Sequence, residues 1–245
     1  MAISTKQSKC FVKKVKKSLQ KRADRDSSEG AVIAKVNANA SKGVIVSLNC
    51  ETDFVAKNDD FVKMATDFAD LALSVSSKEE LLKLDYNGIT VEEKLTEQTG
   101  VIGEKIEIGA FKTLEAAFVG SYIHAGNKIG VLTGLSKAAE GAAEVAKEVA
   151  MQAAAMNPVA LNEEGVDTET IEHETEIAKD QLRKEGKPEE MLDKIVKGKI
   201  QRFFKDNTLV HQAFIKDGKI SVAKHVQNTL GKDVEITAFE RVALG

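Results

Sequence analysis

One pattern constrains the fold of this chain more than any other, and it occurs twice. Two runs rich in β-branched residues flank a short polar turn, and a stretch with helical periodicity follows. In the first occurrence the runs are Ala31-Val32-Ile33-Ala34-Lys35-Val36 and Gly43-Val44-Ile45-Val46-Ser47-Leu48, with turn chemistry starting at Asn37. Branched side chains fit a pleated surface, so two such runs around a polar loop read as a hairpin. Phe61, Met64, Ala65, Phe68, Leu71 and Ala72 then recur at helical spacing. Thr52 and Asn58 each carry a short side-chain oxygen that can accept from the free N–H groups of such a helix. In the second occurrence Phe118 to Ile123 and Ile129 to Leu135 flank a turn from His124 to Lys128. An alanine-rich helix from about Gly141 to Ala155 follows and is ended by Asn157-Pro158. Helices covering one face of antiparallel strands make an α+β fold of two related hairpin-plus-helix subdomains.

The intervening and following segments complete the outline. Lys78 to Leu84 and Val91 to Thr99 read as short helices, and Ile102 to Gly109 as a strand that opens the second unit. Asp167 to Phe204 reads as two amphipathic helices around Glu185-Gly186-Lys187-Pro188, where Gly stops one helix and Pro with Glu189-Glu190 starts the next. This is an inserted antiparallel helical hairpin. Ser221 to Gln227 reads as a short helix, and Val234 to Val242 as a strand completing a sheet. The expected divisions are a basic segment at 1–28, a first core unit with connecting helices at 29–100, a second at 101–160, the helical hairpin at 161–206, and a closing part at 207–245.

Several functions find no support in the residues. A net charge of -3 implies no general attraction to nucleic acid, and the basic cluster before Arg25 lacks interleaved aromatics. No Walker-type phosphate loop, GxGxxG, CxxC, HExxH or GxSxG occurs, and His124, His173, His211 and His225 lie scattered. No enzyme, cofactor or metal is expected. No apolar run approaches the ~20 residues of a membrane helix. Two cysteines, Cys10 and Cys50, suit a reducing, cytoplasmic setting.

The informative stretch is Leu48-Asn49-Cys50-Glu51-Thr52-Asp53-Phe54-Val55-Ala56-Lys57, where a strand ends and a helix begins. On its own, Phe54 reads as a core plug, although Phe61 and Phe68 on the apolar helix stripe are better core candidates. Cys50 reads as a residue packed at a strand end. The stretch resembles the signature of the elongation factor Ts family. Gly120-Ser121-Tyr122-Ile123-His124, Ile129-Gly130-Val131-Leu132, Val101-Ile102-Gly103-Glu104-Lys105, Glu185-Gly186-Lys187-Pro188 and Thr237-Ala238-Phe239-Glu240-Arg241 are also similar to that family, over about residues 21–245.

The resemblance implies guanine-nucleotide exchange on elongation factor Tu. The pair Asp53-Phe54 would push between helices of that GTPase and disturb its magnesium and phosphate sites, flanked by Thr52 and Val55. Ile102, Gly103 and His124 match further partner contacts. The bland alternatives are strand packing for Ile102 and Gly103 and an exposed turn for His124. A truncated Tu-binding protein with weak exchange is the competing reading. A homodimer through the core or the helical hairpin is left open. The sequence departs from the family at its start, where the expected three-helix module and its Thr-Gly-Ala-Gly-Met-Met-Asp motif have no counterpart. Residues 1–20 read as the family's linker translated one base out of frame.

Overall fold

A computed structural model describes residues 25–245 of the chain. The out-of-frame reading of residues 1–20, and all but the end of the basic segment, lie outside the described residues.

The first repeat forms as the β-branched runs dictate. Strands β1 (Glu29–Val36) and β2 (Lys42–Cys50) pair antiparallel, with Glu29 opposite Cys50 and Val36 opposite Gly43. A one-turn helix α1 (Asp53–Ala56) and helix α2 (Asp59–Ala72) follow. Asn58 caps α2 by accepting from the amides of Asp60 at 2.9 Å and Phe61 at 3.2 Å. Phe61, Met64, Ala65, Phe68, Ala69 and Ala72 bury the inner stripe of α2 against Ala31, Ile33, Val44, Val46 and Leu48. Helix α3 (Lys78–Lys83) leads through the short strands β3 (Asp85–Tyr86) and β4 (Ile89–Thr90) into α4 (Val91–Ile102).

The expectation that Ile102 to Gly109 opens the second unit as a strand is corrected here. A capping box between Thr90 and Glu93 starts α4, and buried Val91, Leu95 and Thr99 carry it on to Ile102. Gly103, at φ 86°, stops it in the left-handed region that a residue without Cβ adopts at no steric cost. The strand β5 begins only at Glu107 and runs to Glu115, and it pairs with β2 in the first sheet.

The second repeat follows the same plan. Strands β6 (Phe118–His124) and β7 (Ile129–Leu135) form the hairpin, and α5 (Ala142–Met156) covers it. The helical hairpin α6 (Thr168–Lys184) and α7 (Glu189–Asn207) closes on Ala178, Leu182, Leu192 and Val196. Strands β8 (Ala213–Phe214) and β9 (Asp217–Ser221) and helix α8 (Val222–Leu230) lead to β10 (Ile236–Ala243), which pairs with β7. Each sheet is thus a hairpin whose returning strand takes a third, antiparallel strand on its free edge, in the orders β1-β2-β5 and β6-β7-β10.

The two sheets then pack face to face. Val32, Ala34, Ile45 and Leu114 from one sheet meet Val119 and Leu132 from the other. Strand β1 therefore buries both faces, one under α2 and one under the second sheet, which is why Ala31 to Ala34 shows no polar alternation. The layers run helix, sheet, sheet, helix.

Candidate functional site

Strand β2 delivers the chain to one end of the sandwich at Cys50, and the backbone turns at once into α1. Ala56 N–H donates to the Thr52 carbonyl at 3.2 Å, and Lys57 N–H to that of Asp53 at 3.1 Å. A single turn points neighbouring residues to different sides. Val55 and Ala56 pack on the first core, whereas Phe54 projects outward and is 84% exposed. The core-plug reading of Phe54 is overturned, and Phe61 and Phe68 fill that role at 3% and 0% exposure. An exposed phenylalanine in so short a helix gains nothing for folding, because it stays in water whether the chain is folded or not.

Asp53 is salt-bridged to Lys57 at 2.6 Å, one turn on. That hydrogen bond and charge hold its carboxyl below the usual range, with a smaller contribution from Lys128. Cys50 is fully buried at the strand end, and its thiol donates to the Thr52 carbonyl at 3.2 Å. Burial first, then the Glu104 carboxylate, pushes this thiol up to about 12.

Thr52 occupies the N-cap position of α1 without capping it. Its hydroxyl instead donates to Glu104 Oε1 at 2.6 Å, while the amides of Glu51 and Thr52 both donate to Glu104 Oε2 at 3.0 Å. Glu51 answers in kind, with Oε1 accepting from the Lys105 amide at 2.7 Å and Oε2 from Arg25 at 3.0 Å. Two carboxylates thus staple the segment before α1 to the turn after α4.

The staple brings Ile102 beside Phe54. Phe54, Val55, Phe61, Met64, Tyr86 and Ile102 help line one open groove of about 600 Å³, rimmed by Lys63 and Lys94. Tyr86 is fixed there by an edge-on contact with Phe68 at 5.2 Å and by donating to Asp67 at 2.8 Å. Val101, next to Ile102 in α4, is 68% exposed.

His124 sits exposed at the end of β6, with Nδ1 2.9 Å from the Tyr122 hydroxyl. Its turn is tied to the same end of the sandwich. The carbonyl of Asn127 accepts from the Val32 amide at 2.7 Å, and Lys128 approaches Glu29, the residue paired with Cys50, at 3.4 Å. Thr52, Asp53, Phe54, Val55, Ile102 and Gly103 therefore form one cluster, and His124 stands on the neighbouring turn. Sequence reasoning passed over Glu51 and Glu104 as site builders. The available signal was a glycine stop followed by Glu104-Lys105, facing a second carboxylate just after the β2 run.

Among the described residues no group of three or more His, Cys, Asp or Glu is placed to hold a metal ion. No described helix is long and apolar enough to cross a membrane.

The sequence profile described as Elongation factor TS matches residues 51–245. Elongation factor Ts of Christiangramia forsetii is 75% identical over 233 residues, which cover 95% of this chain and 85% of that one. Elongation factor Ts of Flavobacterium psychrophilum is 60% identical over the same shares. That of Amoebophilus asiaticus is 44% identical over 236 residues, again 95% of this chain and 85% of the relative. With a profile match through most of its length and relatives this similar, the chain belongs to the elongation factor Ts family.

Proposed function

We propose that this chain accelerates release of GDP from elongation factor Tu in translation, by inserting Phe54, with Asp53 beside it, between helices of the GTPase near its magnesium and phosphate site. The observation that carries the reading is the exposure of Phe54 on a turn held from beneath. A solvated aromatic on a braced support loses little conformational freedom when a partner covers it. The groove beside it, floored by Met64 and Tyr86, offers apolar surface to the partner's side of the wedge. Ile102, Gly103 and His124 would make flanking contacts. The cytoplasm, where elongation factor Tu works, is the setting this role requires.

No covalent chemistry is involved. Magnesium bridging the phosphates concentrates charge that holds the nucleotide, and disturbing that coordination speeds its departure. Linkage is reciprocal, so a factor that weakens nucleotide is weakened by it, and GTP rebinding expels the factor.

The test is release of fluorescent GDP from elongation factor Tu with the intact chain and with Phe54→Ala. The intact chain is expected to accelerate release. The substitution is expected to lower the accelerated rate by roughly 30-fold or more, since an anchor of this kind carries about 2 kcal/mol or more. Its folding stability should change by less than about 0.5 kcal/mol, as for other surface truncations. Equal acceleration by both proteins would reject the wedge.

A further inference from the structure

We propose that Glu104 is the positioning residue for the Phe54 wedge, acting through the backbone of Glu51 and Thr52 rather than by touching the partner; this rests on the exchange reading above. A one-turn helix is not stable by itself, because nucleating a first turn fixes several residues for one hydrogen bond. Val55 and Ala56, only partly buried on the first core, and the exposed Asp53–Lys57 ion pair are the slight support found within α1. Its N-cap residue makes no capping bond, and none of its four residues is fully buried. Yet Phe54 stands clear of the surface, so something outside α1 must hold its direction.

Glu104 is that support. One oxygen of its carboxylate accepts from two successive backbone amides at 3.0 Å, and the other accepts from the Thr52 hydroxyl at 2.6 Å. Hydrogen bonds to an ionised acceptor are among the stronger ones a protein makes. They fix the two residues immediately before α1, and therefore the direction in which the helix leaves β2. Glu104 is itself set by its surroundings. Gly103 reverses the chain at φ 86°, and the Lys105 amide is held by Glu51 Oε1 at 2.7 Å. The Ile106 amide donates to the buried Thr99 hydroxyl at 3.2 Å. Ile102 and Gly103 thus have a second role besides any partner contact, because they aim Glu104 at the wedge support.

If the support is lost, Phe54 samples many directions, and the fraction of complexes with the wedge inserted falls in proportion. Other contacts still assemble the complex. The maximal rate of nucleotide release at saturating chain should therefore fall, while the concentration giving half of it changes less.

The experiment compares Glu104→Ala, Glu104→Gln, Phe54→Ala and the double variant E104A/F54A in release of fluorescent GDP from elongation factor Tu. Amide hydrogen exchange of the free chains is followed alongside. Glu104→Ala is expected to lower the maximal release rate by about tenfold or more, consistent with losing several hydrogen bonds to a charged acceptor. Glu104→Gln keeps one acceptor oxygen and should recover part of it. The double variant should release no more slowly than Phe54→Ala alone, since a residue that works through Phe54 has nothing left to lose. Protection should drop at Glu51 and Thr52 and stay unchanged in β1 and β2. A double variant clearly slower than Phe54→Ala would overturn the proposal in favour of direct contact or general structure. So would unchanged release in Glu104→Ala while Phe54→Ala remains defective, whatever happens to amide protection. If Phe54→Ala matches the intact chain, the wedge reading fails and this proposal falls with it, a pattern distinct from the other two.

Discussion

At Cys50 two pressures act on one sulfur. The side chain is fully buried at the end of β2, and the charge that acts on it most is the carboxylate of Glu104. Both disfavour a thiolate, so the thiol is pushed up to about 12 although it lies four residues from the exposed Phe54. The thiolate is the nucleophile, and a buried thiol of this kind should be inert. In a Cys10→Ser background, a chromogenic disulfide reagent at pH 8 is expected to label the native chain only slowly, and at once when the chain is unfolded. Fast labelling of the native chain would mean that the β2 end opens and the support of α1 is looser than drawn. The contrast with Phe54 was half legible beforehand. Cys50 follows from its place at the end of the β2 run, but a phenylalanine at a strand-to-helix turn reads as core unless the direction of a single helical turn is known. That direction depends on Glu104, fifty residues away, which no local pattern announces.

Among the elements, those with their own periodicity were readable and those defined by partners were not. Both hairpins, α2, α5, the helical hairpin and β10 followed from spacing, capping residues and the Gly186-Lys187-Pro188 break. Ile102 to Gly109 failed as one strand because Ile102 serves the helical stripe of α4, Ile106 packs on the first core before any strand begins, and only Ile108 serves β5, with the glycine stop after Ile102. The β8–β9 hairpin shows how a weak element is held by chemistry from elsewhere. Lys216, in its turn, and His225, on α8, both meet Glu148 of α5 at 2.7 Å, and Phe214 stacks on the His225 ring at 4.0 Å. Burial alone would raise the Glu148 carboxyl, but the hydrogen bonds from Lys216 and His225 outweigh it and hold it below the usual range. A carboxyl depressed in the folded state contributes stability that is fully present above its unfolded value, and that stability is lost as pH falls through the folded one. The intact chain should therefore be more stable than Glu148→Gln at pH 7, by denaturant midpoint, and the gap should shrink as pH drops below about 4. A gap independent of pH would mean that Glu148 acts through shape and hydrogen bonding rather than charge.

For the molecule as a whole, the decisive event is the meeting of the two sheets, which the repeated pattern implied only in part. It gave two hairpin-plus-helix units, but not that their uncovered faces would close on each other. The clue was the lack of alternation in β1 and β2, since a strand with one face in water would show a polar residue at every second position. The contact is close enough to need a missing side chain. A Cβ on Gly130 of β7 would lie 2.7 Å from Val32 Cγ1 and 3.2 Å from Ile45 Cγ2, both fully buried. Val32 is branched at Cβ and cannot swing aside without leaving its preferred rotamer. Gly130→Ala should then behave as overpacking, at about 1–3 kcal/mol. In a domain of this size that is a fall of roughly 2–10 °C in melting temperature. Gly198 in α7 is the control, because a Cβ there meets nothing within 4 Å and the position is helical. Gly198→Ala should leave the melting temperature the same or raise it slightly. Below the transition both variants should keep the GDP release of the intact chain, because the 50–57 and 102–106 segments are built from other contacts. If Gly130→Ala melted like the control, the sheets would sit farther apart than the Val32 contact requires. If it kept its fold but lost exchange, sheet packing would have to be added to the Glu104 staple as a determinant of where Phe54 points.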